Sequence, residues 1–171
     1  MSVTPSGMFS LPLDNARTLL ANAAAFQTLV EKGNATDAKT RIFIIETDEE
    51  FKQTEDREFC PNRAIIGYQS GGFGAELVGS TGWNVGGPIE VRIEAEVPDD
   101  YRNNYQWALW WFLNSLGAIV TDMRDLIAPN RGYLNITDIK IAEAGRLDPD
   151  FYNGAFLFGG DLVLTWRGFE G

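Results

Sequence analysis

Apolar residues across 99–128, DDYRNNYQWALWWFLNSLGAIVTDMRDLIA, recur at steps of three and four: Tyr105, Ala108, Leu109, Phe112, Leu116, Ile119, Val120, Met123 and Ile127. That spacing sets them on one stripe of a 3.6-residue helix, so a long α-helix with one face on a core is predicted. Pro98, Asp99 and Asp100 suit its start, where a fixed φ and carboxylates match unpaired N–H groups. Pro129 ends it and Gly132 follows as a turn residue. At 1.5 Å per residue the helix is roughly 40 Å long, so something long must lie beneath it. A first helix is predicted after Asp14 as N-cap, with Ala16, Leu19, Leu20, Ala23, Phe26, Leu29 and Val30 as its stripe and Gly33 as its stop. Residues 1–12, with Pro5, Gly7 and Pro12, are expected to be an extended arm.

Other segments have strand patterns. Thr40 to Glu46, TRIFIIE, and Ala64 to Gln69, AIIGYQ, are predicted to pair as a long hairpin. Ile89 to Val97, IEVRIEAEV, alternates strictly, with Ile89, Val91, Ile93, Ala95 and Val97 on one face and Glu90, Arg92, Glu94 and Glu96 on the other. In Tyr133 to Glu143 the apolar parity changes between Ile136 and Ile139, which a bulge near Thr137-Asp138 reconciles. Residues 144–154 read as a connecting loop. Ala155 to Arg167 reads as the last strand, with Phe156, Phe158, Leu162, Leu164 and Trp166 on one face and an expected bend at Gly159-Gly160. The wet face of the third strand implies a sheet covered on one side. The predicted fold is therefore α+β: a two-layer sandwich with a mixed, mainly antiparallel sheet and one long and one shorter helix on one face.

Composition narrows the class. The 171 residues are 44% apolar and 22% charged, which suits a single domain over 1–171. A net charge of −10 argues against a broad phosphate-binding face. Cys60 is the one cysteine, so no intramolecular disulfide or cysteine-rich zinc site is available. The N-terminal MSVTPSGMFSLPLDN lacks a signal-peptide pattern, and no long apolar run suggests a membrane span. The sequons at Asn34 and Asn135 would matter only on a secretory route.

Candidate chemistry is sparse. The chain has no histidine, and no motif surrounds Cys60, so catalysis would rest on carboxylates, Lys, Tyr or Ser, and no enzyme is expected. Acidic residues crowd 48–58 without the D-x-D-x-D-G spacing of a calcium loop, and no metal or cofactor is expected. The glutamates of IEVRIEAEV read as solvated charges. Residues 70–88, SGGFGAELVGSTGWNVGGP, hold seven glycines but neither a Gly-Lys-Ser/Thr run nor a following helix to cradle phosphate. This stretch is predicted as a long inter-strand loop, or as a mobile arm or hairpin, with Phe73, Leu77 and Trp83 as anchors that order on a partner. Trp107, Trp110 and Trp111 cannot all share the core stripe, and they cover either the sheet edge and first helix or a subunit contact. Gly117, costly in mid-helix, hints at a close backbone crossing.

The closing portion, from NSLGAIVTDMRDLI through YLNITDIKIAEAGRLDPD to FLFGGDLVLTW, resembles the tail-terminator and tail-completion proteins of long-tailed, siphophage-like bacteriophages. The resemblance covers roughly residues 89–167 and rests on loose apolar patterns rather than fixed residues. It implies a ring, commonly a hexamer, that caps the tail tube and joins it to the head connector or neck protein. Its expected place is the virion tail or neck, after assembly in the host cytoplasm. Neither a membrane partner nor specific nucleic-acid binding is expected of such a ring, though DNA would pass through it. The alternative is a non-catalytic small-molecule or carbohydrate-binding module that uses exposed tryptophans as stacking surfaces.

Overall fold

The computed structural model describes residues 10–44, 60–69, 74–78, 82–130, 133–142, 150–152 and 155–170. Most of the predicted N-terminal arm, the acidic stretch 48–58 and Phe73 lie outside them. Its strands are β1 (Ile42–Ile44), β2 (Arg63–Tyr68), β3 (Gly74–Val78), β4 (Gly82–Glu96), β5 (Ile136–Ile141), β6 (Asp150–Tyr152) and β7 (Ala155–Glu170). They form one sheet in the order β1-β2-β4-β7-β5, with β3 also on β4 and β6 also on β7. The long antiparallel pair β4–β7 runs from Trp83↔Glu170 to Glu96↔Leu157. Because β7 occupies one edge of β4, β2 and β3 must follow one another along the other edge. β5 and β6 do the same for β7.

Alternation decides the faces. Ile89, Val91, Ile93 and Ala95 lie opposite Leu164, Leu162, Gly160 and Phe158, and all are buried. Helices α1 (Leu11–Asn22), α2 (Ala24–Leu29), α3 (Ala35–Ala38) and α4 (Tyr105–Ile127) accompany the sheet. The long α4 and the shorter α1 cover the same face, so the molecule is a two-layer α+β sandwich with a mixed, mainly antiparallel sheet. From α1, Ala16, Leu19 and Leu20 enter the core, and from α4, Phe112, Leu116, Ile119 and Met123 join them. Gly160 marks the closest approach, since a Cβ there would lie 2.9 Å from the Leu116 side chain and 3.2 Å from the Phe112 ring. Phe112 stacks on Phe158 at 5.5 Å between centroids. The glycine is there for clearance, and β7 continues as strand through Gly159-Gly160.

On the opposite face the charges are organised. Arg63 pairs with Glu94 at 2.6 Å, and Arg92 lies 3.0 Å from the other Glu94 oxygen. Arg63 and Glu94 are nearly covered, so the pair sets a carboxylate against a guanidinium where water gives little help to either. Gly159 makes room for Arg92, whose nitrogen would meet a Cβ at 2.8 Å. Only Glu90 among the strand's glutamates is the exposed charge expected; Glu94 and Glu96 both hold arginines.

Several boundaries depart from expectation. β1 and β2 pair in parallel, not as a hairpin, because the long connection 45–62 leaves room for a crossover. The first helix begins at Leu11 with Pro12 in its first turn, so these two residues belong to the helix and not to the arm. It breaks at extended Ala23, where Ala25 N–H donates to Asp122 Oδ2 of α4 at 2.7 Å. Its stop is the left-handed Glu31 rather than Gly33. The long helix starts later than expected: Asp99–Tyr101 form a 3-10 turn, and Asn104 caps α4 by accepting the Trp107 N–H at 3.2 Å. Tyr105 is therefore exposed at the helix end, 6.0 Å from Phe158, rather than part of the core. Gly117 meets nothing within 4 Å, and nothing in the structure explains it. The glycine-rich stretch is strand in its described part, with Gly74–Val78 paired antiparallel to Gly82–Gly86, which agrees with the hairpin alternative and not with a loop. Within the expected loop 144–154, Asp150–Tyr152 is strand. The bulge at Thr137 is present, as a register shift between Ile136 and Asp138.

Candidate functional site

A groove of about 1190 Å³ lies beside the first half of α4. Four separated segments build it: α2 and the turn after it, Asn62, the 96–102 connection, and the α4 face carrying Trp107, Trp110, Trp111, Asn114, Ser115 and Ala118. Each wall has a local cause. Pro98 ends β4, since it cannot donate to a ladder, and the chain folds into the 3-10 turn. Arg102 clamps that turn, donating to Glu96 at 2.6 Å and to the Val97 carbonyl at 3.2 Å, with Asp99 3.0 Å away. Asn62 accepts the Glu96 N–H at 2.8 Å and so fixes the end of β4. Asp122 positions α2 through Ala25.

Helical geometry separates the three tryptophans. Trp111 turns inward and stacks on Tyr101 at 6.3 Å with an interplanar angle of 28°. Trp107 and Trp110, three residues apart, share an outward face and remain 55% and 52% exposed. Exposed aromatics of this size beside a groove are unusual for a surface that touches only water. The walls also carry Glu31, Glu96, Asp99 and Arg102, so an aromatic floor meets a charged rim.

Of the six residues expected to form an interface, Trp107, Trp110 and Trp111 come together here. Leu77 and Trp83 face each other in the β3–β4 ladder, and their side chains, like the whole of Phe73, lie outside the described residues. Tyr101, Arg102, Asn62 and Glu31 were not foreseen as site residues. Only the outward i, i+3 spacing of Trp107 and Trp110 signals this face in the sequence. Among the described residues no group of three Cys, Asp or Glu side chains converges as a metal site. No described helix is long and apolar enough to cross a membrane. No protein-family model matches the chain, and no curated protein matches its sequence.

Proposed function

We propose that this protein is a structural virion subunit of the tail-terminator or tail-completion kind, forming a ring that caps a tail tube and joins it to the head connector. The resemblance of residues 89–167 motivates the reading, and the long helix laid across a small mixed sheet agrees with it. One observation carries the self-association. β1 and β5 stand at opposite ends of the sheet order, and each has an exposed isoleucine, Ile44 at 39% and Ile141 at 51%. Among the described residues no strand pairs with either outer edge. Two different edges at opposite ends favour head-to-tail contact, which closes into a ring when the rotation permits. The bulge and Lys140 on β5 oppose simple extension of the ladder, so the contact is made by side chains.

Light scattering and native mass spectrometry test the proposal. The expected mass is about six copies of the 19.0 kDa chain, and Ile141→Lys should shift it to monomer without unfolding. A strict monomer at all concentrations, alone and with tail-tube protein, would overturn it. The second reading, a non-catalytic carbohydrate or small-molecule module, draws on the tryptophan-lined groove.

A further inference from the structure

The groove has more negative charge than its walls use internally. Glu31, Glu96 and Asp99 line it, and the cation among them, Arg102, is already engaged by Glu96, Asp99 and the Val97 carbonyl. Trp107 and Trp110 present half-exposed indoles beside these carboxylates. Indole is the strongest side-chain acceptor of a cation on its face, so ring and carboxylate attract the same kind of group.

Glu31, at φ 56°, is the residue that stops the helix, and that turn sets it on the groove wall. The chain as a whole carries −10, so a second copy is a poor match for an acidic groove.

From this charge pattern we infer that the groove receives a basic, extended peptide segment of a partner protein. Its Lys or Arg side chains lie on Trp107 and Trp110, with their charge balanced by Glu31, Glu96 and Asp99. The inference deepens the assembly reading, on which it rests for the existence of a protein partner, by naming that partner's chemistry. A neutral oligosaccharide would use the same rings and donate hydroxyls to the carboxylates, but it leaves their surplus charge unneutralised.

The test titrates the full chain with tetra-arginine, with tetra-citrulline as its uncharged analogue, and with maltotetraose. Tryptophan fluorescence and calorimetry read binding, and light scattering of the same samples reads assembly. Tetra-arginine should bind more tightly than both other probes, and Trp110→Ala, Trp107→Ala and Glu31→Gln should each weaken it about tenfold. Glu90→Gln, the same charge change on β4 at a residue that does not line the groove, should leave binding unchanged. Glu31→Gly should raise the melting temperature while weakening binding, which separates the site from the fold. No binding of tetra-arginine, equal binding of tetra-citrulline, tighter binding of maltotetraose, or a Trp110→Ala chain that binds as wild type would each overturn the inference, the last because bulk attraction to an acidic protein does not need the ring. Lost peptide binding with the ring intact removes this inference alone, whereas a monomer that binds the peptide removes the ring alone.

Discussion

The two sides of α4 use the same residue types for opposite ends. Inward, Phe112, Leu116, Ile119 and Met123 are buried against the sheet, where each ring or branch is fitted to a neighbour such as Gly160 or Phe158. Outward, Trp107 and Trp110 have comparable apolar area but leave about half of it in water. Hydrophobicity alone therefore does not say what a residue stabilises; burial does. The inward face should respond to substitution in stability, and the outward face in association.

The largest effect expected is from Phe112→Ala, which removes a fully buried ring and should cost about 3–5 kcal/mol, seen as a lower urea midpoint. A midpoint near wild type would take Phe112 out of the core. From the sheet side, Gly160→Val pushes branches into Leu116 and Phe112 and should cost about 1–3 kcal/mol in the same assay. Asp122→Ala strips the acceptor from the Ala25 N–H and should cost about 1–2 kcal/mol, with faster amide exchange confined to α2. Glu31→Gly should stabilise by about 1 kcal/mol through relief of the left-handed backbone.

A pH effect follows from Tyr68, whose phenol burial pushes up from 10.0 to about 12. Below pH 10 the group is protonated folded and unfolded alike. Between 10 and 12 the unfolded chain loses this proton while the folded one keeps it, so stability falls as pH rises through that window, and Tyr68→Phe should flatten the fall. Smallest of all, Trp107→Ala and Trp110→Ala should move the urea midpoint by no more than about 0.5 kcal/mol of stability. A large loss there would erase the contrast between the two faces.

How legible the fold was depends on the range of the interaction. The core parities of β4 and β7, the α4 stripe and the bulge at Thr137 follow from local spacing, and all could be read directly. Strand direction is not local, so β1 and β2 looked like a hairpin although they are parallel. The break at Ala23 is held by Asp122, nearly a hundred residues away, and alanine-rich periodicity gave no hint of it. Glycine misled most. Gly86 is in strand because a Cβ would lie 2.5 Å from the Trp166 carbonyl oxygen, and Gly168 because a Cβ would meet the Trp166 ring at 2.7 Å. Clearance for a neighbour and freedom for a loop look alike in one sequence. The groove was half visible: the tryptophans announce a face, but its carboxylates come from segments that only the tertiary fold brings together.

The long pairing of β4 with β7 also gives the molecule a mechanical axis. Fifteen residues of β4 extend for ~50 Å, against ~35 Å for the 23 residues of α4. Because antiparallel hydrogen bonds lie across the strands, tension applied along this pair loads the whole ladder in shear, whereas tension across it opens one rung after another. The molecule should therefore be stiff in one direction and unzip in the other. A subunit seated so that tension runs along β4 and β7 would hold far longer than the same subunit turned through a right angle.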